Sequence, residues 1–205
     1  MTGRHQVIAI SGIPGAGKTR AALVLAERMG AAYLPFDDFE ALTERDADHT
    51  VGWLNRGAPW QEMYDPALDD ILMSLAEQGP VVFETPLGRQ PPTHSAVITC
   101  AIWIDLDRDI ALARKLKMAL DPRDWSSPDD MSIWLCQFLE NYQHLVRPCL
   151  ELQAARVRLL SDHIIDGTMS CSAVDAAVAQ IVGSLHAERH NMNMTSASAA
   201  LAMER

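Results

Sequence analysis

Eight residues, Gly12 to Thr19, spell GIPGAGKT, and their types and spacing suit the holding of a chain of phosphates. The glycines permit backbone angles barred to other residues, so successive N–H groups can turn inward around an anion. Lys18 brings a point charge to the outer phosphates. The Thr19 hydroxyl suits Mg²⁺, and a helix starting there adds the positive end of its dipole. Candidate ATP-binding residues are therefore Gly12, Ile13, Pro14, Gly15, Ala16, Gly17, Lys18, Thr19 and Arg20. Phosphoryl transfer asks mainly for positioning and charge neutralisation, with one carboxylate to orient the acceptor hydroxyl and take its proton. Asp37 is the candidate base, with Asp38 as the alternative or as a helix cap. Glu84 and Asp37 join Thr19 as candidate Mg²⁺ partners. Arg114 is the candidate lid cation, with Lys115, Lys117 and Arg123 beside it, because arginine grips a transferring phosphoryl group with two donors.

These residues need a scaffold that brings them to one edge. Val7 to Ser11 is a short apolar run fit for a central strand, directly before the glycine-rich loop. Lys18 to Met29 has helical spacing and stops at Gly30. Ala31 to Phe36 reads as a second strand ending in Asp37 and Asp38, which predicts a parallel pair with a right-handed crossover. Asp65 to Glu77 is a helix capped by Asp65 with Pro66 in its first turn. Val81 to Glu84 is a third strand, Thr85 to His94 a proline-rich loop, and Val97 to Asp105 a fourth strand. Leu106 to Leu120 is a basic helix, and Asp121 to Asp130 a loop. Met131 to Leu160 reads as one long helix with a possible kink near Pro148. Asp162 to Ile165 is a last strand and Ser172 to His186 a last helix. The expected fold is α/β: a doubly wound parallel sheet of the P-loop NTPase type, like that of nucleoside and nucleotide kinases, in three layers. Ligands in such sheets sit beyond the carboxyl ends of the strands, where Asp37 and Glu84 fall.

The 205 residues fit one domain over 1–186, with an acceptor-side insertion at about 40–64 and a lid at about 107–130. Residues 187–205 lack a core pattern and are expected to be a poorly ordered tail or a weak helix. A formal net charge of −10 argues against a nucleic-acid partner, whose footprint would be basic. No apolar run is long enough for a membrane span, and four scattered cysteines without a C-x-x-C pair read as free thiols of a cytoplasmic protein. Within the acceptor region, Trp53, Trp60 and Tyr64 are candidates to stack on a flat ring, or else core residues of the insertion. Arg89 and His94, after Glu84, are further substrate candidates.

The order GIPGAGKT, FDDF, YDPALD, VVFE and a basic helix after WIDLDRD resembles the uridine kinase and nicotinamide riboside kinase family. Its broader group includes pantothenate kinase and phosphoribulokinase. The likeness spans about residues 5 to 186, and the pairing of D-D-F with Y-D-P-A-L-D narrows it most. It implies the P-loop kinase fold, ATP and Mg²⁺, Asp37 as general base and Glu84 as a partner of the metal or its waters. Two stretches depart from the family: RKLKMALDPRDW lacks the denser arginine pattern of the lid, and E-T-P-L-G-R stands where E-G is usual. The expected activity is phosphoryl transfer from ATP to a hydroxyl of a small molecule, nucleoside-like or another polyol, by a monomer or homodimer. Two alternatives stand beside it: an ATPase or nucleotide-binding regulatory module with no small-molecule acceptor, and an antibiotic phosphotransferase. A guanine-reading N-K-x-D and a transporter signature are both lacking, which removes two other classes of phosphate-loop protein.

Overall fold

Each strand of the central sheet is short and apolar because both of its faces are covered. In the computed structural model, which describes residues 5–41, 47–121 and 125–185, five parallel strands are ordered β2-β3-β1-β4-β5. They are β1 (Val7–Gly12), β2 (Ala32–Pro35), β3 (Val81–Glu84), β4 (Cys100–Asp105) and β5 (His163–Asp166). Alternate residues of β1 enter different cores. Ile8 and Ile10 pack with α1 (Lys18–Met29), whereas Val7 and Ala9 pack with Leu68 and Leu72 of α3 (Ala67–Gln78). Helices on both faces make the three-layer, doubly wound sheet that the strand order predicts.

Helix α1 stops as expected at Gly30, whose φ of 58° turns its N–H back to the carbonyls of Ala26 and Glu27. Helix α3 starts at Ala67, with Asp65 Oδ1 accepting the Ala67 N–H at 2.9 Å. Between β2 and α3 lie the single-turn segment Phe36–Phe39 and α2 (Ala47–Asn55).

Three boundaries differ from expectation. The proline-rich loop contains a short helix, α4 (Pro92–Val97), and β4 starts only at Cys100. Proline at the first helical position lacks an N–H that would have no partner there anyway, so Pro92 starts a helix as readily as it signals a loop. After α5 (Arg108–Ala119), helix α6 (Pro128–Asn141) starts earlier than Met131, because Ser127 accepts the Asp130 N–H at its N-cap. The long helix then changes winding. Tyr142–Val146 is π-helical before α7 (Arg147–Val157). Pro148 has no N–H for the His144 carbonyl four residues back, and the wider turn absorbs the mismatch. A last helix, α8, runs over 171–185 and packs Val174, Val178 and Val182 on the sheet. The tail from 187 lies outside the described residues, as does Arg123.

One packing contact gives a direct stability test. Gly88, after β3, has φ 51°, and a Cβ there would lie 2.7 Å from Val157 Cγ1. The left-handed backbone alone costs another residue about 1–2 kcal/mol. Gly88→Ala should therefore lower the free energy of unfolding by at least that much in denaturant titration.

Candidate active site

The parallel register delivers the predicted residues to one edge of the sheet. Glu84 is level with Ile10 of β1 and Pro35 of β2. The phosphate loop, the Phe36–Phe39 turn and the loop after β3 therefore leave the sheet side by side at its carboxyl edge. Gly17 takes φ 93° at the N-cap of α1, so Lys18 and Thr19 are the first helical residues and their N–H groups have no partner within the helix.

Glu84 is 7% exposed, and both its oxygens are engaged. Oε1 accepts the Thr19 hydroxyl at 2.7 Å and Oε2 accepts the Tyr33 hydroxyl at 2.6 Å. Burial, then the bond to Glu84, pushes the Tyr33 phenol up, so it remains a donor. A Thr19 hydroxyl that gives its proton to Glu84 keeps its lone pairs for a cation. Hard oxygens of this kind suit Mg²⁺, which keeps several waters and takes few protein ligands beside substrate phosphates. Among the described residues, no group of three His, Cys, Asp or Glu side chains could hold an ion alone. The donor set fits an ion that arrives with phosphates.

Lys18 is half-buried, and its Nζ donates to the Ile13 carbonyl at 3.4 Å. Loss of water lowers its pKa, while the carboxylates of Glu84 and Asp37 work in the opposite direction. Phosphate oxygens would satisfy a charge held so sparsely. Asp37 has its pKa raised, first by loss of water and then by Glu84, with Glu40 and Asp38 adding and Lys18 opposing. A carboxylate raised in this way is a better acceptor for a hydroxyl proton at working pH.

Lys18, Thr19, Asp37 and Glu84 line one cavity of about 820 Å³. It runs from the phosphate loop, past the loop after β3, to a wall made by α2, the π-helical turn and α7. Trp53 of α2 lines it, buried to 3% exposure, with its indole N–H on the Pro59 carbonyl at 2.9 Å. Pro14, Gly15 and Lys115 border it as well.

Other candidates are placed elsewhere. Arg114 donates to the Gly15 carbonyl at 3.1 Å and to the Gly167 carbonyl at 3.0 Å. Its guanidinium ties the phosphate loop to the turn after β5, in place of the free lid cation that the sequence predicts. Arg20 pairs with Asp175 of α8 at 2.9 Å. Asp38 is exposed and outside the cavity lining. Trp60 stacks on Tyr64, which meets Phe36 edge-on, so these two rings belong to the core beneath the site. Arg89 donates to the Ile98 carbonyl and to Asp162 at 2.6 Å, bracing the sheet end. His94 is fully buried against Phe83, its Nε2 3.1 Å from Asp69 Oδ1, and burial lowers its pKa. The reason is common to Arg20, Arg89 and His94: a neighbour distant in sequence offers a nearer partner than a ligand would.

Sequence reasoning missed Tyr33 and Gln153. Gln153 of α7 donates through Nε2 to the carbonyls of Gly12 at 3.2 Å and Pro86 at 3.1 Å, joining both loops that frame the site. Tyr33 had a signal, since a phenol in a strand beside β3 needs a polar partner. Gln153 had none, because its partners lie 141 and 67 residues away.

No protein-family model matches the sequence, and no curated protein matches it. Solved structures do. A sugar kinase from Janibacter sp. HTCC2649 superposes with a TM-score of 0.51 at 13% identity, over 86% of this chain and 93% of that one. A putative fructose transport system kinase from Silicibacter sp. TM1040 gives 0.51 at 17%, over 78% and 89%. Shikimate kinase from Bacteroides thetaiotaomicron gives 0.50 at 16%, over 87% and 98%. At these identities the likeness is one of fold: this chain has the P-loop NTPase fold in the form that small-molecule kinases also adopt.

Proposed function

We propose that this protein is an ATP- and Mg²⁺-dependent kinase that transfers the γ-phosphoryl group to a hydroxyl of a small molecule. The observation that carries the reading is the convergence of Lys18, Thr19, Glu84 and Asp37 on one cavity with room beyond the phosphate loop for an acceptor. The loop N–H groups and Lys18 hold the phosphates. Thr19 and Glu84 would hold Mg²⁺, directly or through water, and the ion would supply charge neutralisation. Asp37 orients the acceptor hydroxyl and takes its proton while that oxygen bonds to phosphorus and the bond to the ADP oxygen breaks. Arg114 and Gln153 keep the loops in position. The fold shared with solved sugar and shikimate kinases supports the reading, and a site within a single chain is compatible with a monomer or a homodimer.

The experiment is a screen for small hydroxyl compounds that accelerate ADP formation. One compound should raise the rate sharply and leave as its phosphate monoester. Turnover indifferent to every compound, yet raised by a protein partner, would favour an ATPase instead.

The carboxylate pair predicts a pH response. Asp37 must be ionised to act, so activity falls as pH drops through a value above the ordinary aspartate 3.8. Glu84→Gln removes the neighbouring negative charge. Its acidic limb should move to lower pH, whatever happens to the maximum rate, as a pH–rate profile would reveal.

A further inference from the structure

The far half of the cavity carries chemistry of its own, and the inference drawn from it rests on the kinase reading above. Beyond Asp37 the lining is mainly apolar, with Phe36, Met63, Leu87, Leu145, Cys149 and Leu152. Three polar side chains on this wall have turned to the backbone. The Trp53 N–H is on the Pro59 carbonyl, Arg156 donates to the carbonyls of Ala58 at 2.9 Å and Gly57 at 2.8 Å, and the Gln153 amide spans two more. With those polar ends engaged, an indole ring and alkyl stems are left for apolar contact. The amides of Gln90 and Asn141 and the Thr50 hydroxyl also border the cavity, enough to orient one or two polar groups.

Such a wall discriminates. Each hydroxyl of a polyol moved from water to a surface without partners costs free energy, whereas an apolar body gains by the same transfer. Charges of both signs border the cavity, Lys18, Lys115 and Arg156 beside Asp37, Glu40 and Glu84, so selection rests on the apolar wall. We propose that the acceptor is an alcohol with an apolar, ring-sized body and not a polyol. Its single hydroxyl reaches Asp37 while its body rests on Trp53, Leu87 and Leu152. The transfer balances as before: the alcohol oxygen gains phosphorus, Asp37 takes the proton, and ADP leaves.

Cys149 on the wall provides a readout independent of turnover. With the exposed Cys136 and Cys171 changed to serine, and Cys100 buried, N-ethylmaleimide labelling reports on the cavity. The full chain, with Mg²⁺ and a non-hydrolysable ATP analogue, is labelled in the presence of 3-phenylpropan-1-ol, ribose or gluconate. Phosphorylation of the same three is followed with ATP. The proposal expects 3-phenylpropan-1-ol alone to slow labelling, and to be phosphorylated at least about ten-fold more efficiently than the others, the scale on which apolar pockets discriminate. Faster phosphorylation of ribose or gluconate, with protection by it, overturns the proposal and leaves the kinase reading standing. Protection by 3-phenylpropan-1-ol with no transfer to any alcohol overturns the kinase reading, and the acceptor with it. Absence of protection by 3-phenylpropan-1-ol overturns the apolar site itself.

Discussion

Lys18→Met should lower kcat/KM for ATP by about 10²–10³-fold, the loss typical of removing one preorganised donor from a developing charge. The methionine keeps the length and apolar bulk of the side chain and deletes only the ammonium. Two features make the effect large. The amine sits among Glu84 and Asp37, so without it two carboxylates face the incoming phosphates unopposed. Its desolvation also means that no water replaces it cheaply. The same substitution should not weaken the fold. A lysine whose pKa is lowered on folding is a charge the native state holds at a cost, and that cost applies throughout the pH range in which it stays protonated. The melting temperature of the ligand-free variant at neutral pH should therefore equal or exceed the wild type's. Loss of both activity and stability would point to a merely structural lysine.

Asp37→Asn should reduce kcat by about 10²–10⁴-fold while leaving the affinity for a non-hydrolysable ATP analogue nearly unchanged. The amide fills the same volume and can still accept a hydrogen bond from a hydroxyl, but it cannot take the proton. Asp38→Asn is the matched control, one residue away, exposed and outside the cavity. It should retain most activity. Stability moves the other way. The folded-state pKa of Asp37 is raised, so protonation favours the fold at low pH and the benefit disappears as pH rises through that pKa. At neutral pH Asp37→Asn should melt higher than the wild type, with the difference shrinking as pH falls. A site that gains stability when its reactive group is removed has traded one for the other.

The donor half of the site was legible in the sequence, because the phosphate loop is contiguous and its geometry is local. Strand–loop–helix order fixed where Lys18, Asp37 and Glu84 would emerge, and the sheet register brings them together. Long-range choices were not legible. Arg114, Arg89 and His94 carry the right groups for substrate, yet each finds a carbonyl or carboxylate supplied by a distant segment. Trp60 and Tyr64 lie in the predicted acceptor stretch but pack on the core, Trp60 of the 3₁₀ turn at Trp60–Glu62 stacking on Tyr64 and Tyr64 meeting Phe36. Of the three aromatics, Trp53 alone lines the cavity. Pro148 marked an irregular point of the long helix, but the π-helical turn with Leu145 and Val146 on the lining answers to packing across the whole helix. The resemblance to uridine kinases predicted the fold. The structural likenesses extend that fold to kinases with other named acceptors, so they leave the acceptor to the cavity.

The fate of the terminal phosphoryl group separates a kinase from an ATPase. The protein is mixed with Mg²⁺ and ATP labelled with ¹⁸O on the γ-phosphate, together with the acceptor that most accelerates ADP release, and the products are resolved by mass spectrometry. The expected product is a phosphate monoester of the acceptor carrying the three labelled oxygens, equal in amount to ADP and lost in Asp37→Asn. Label appearing only in inorganic phosphate, with the acceptor unmodified, would contradict it.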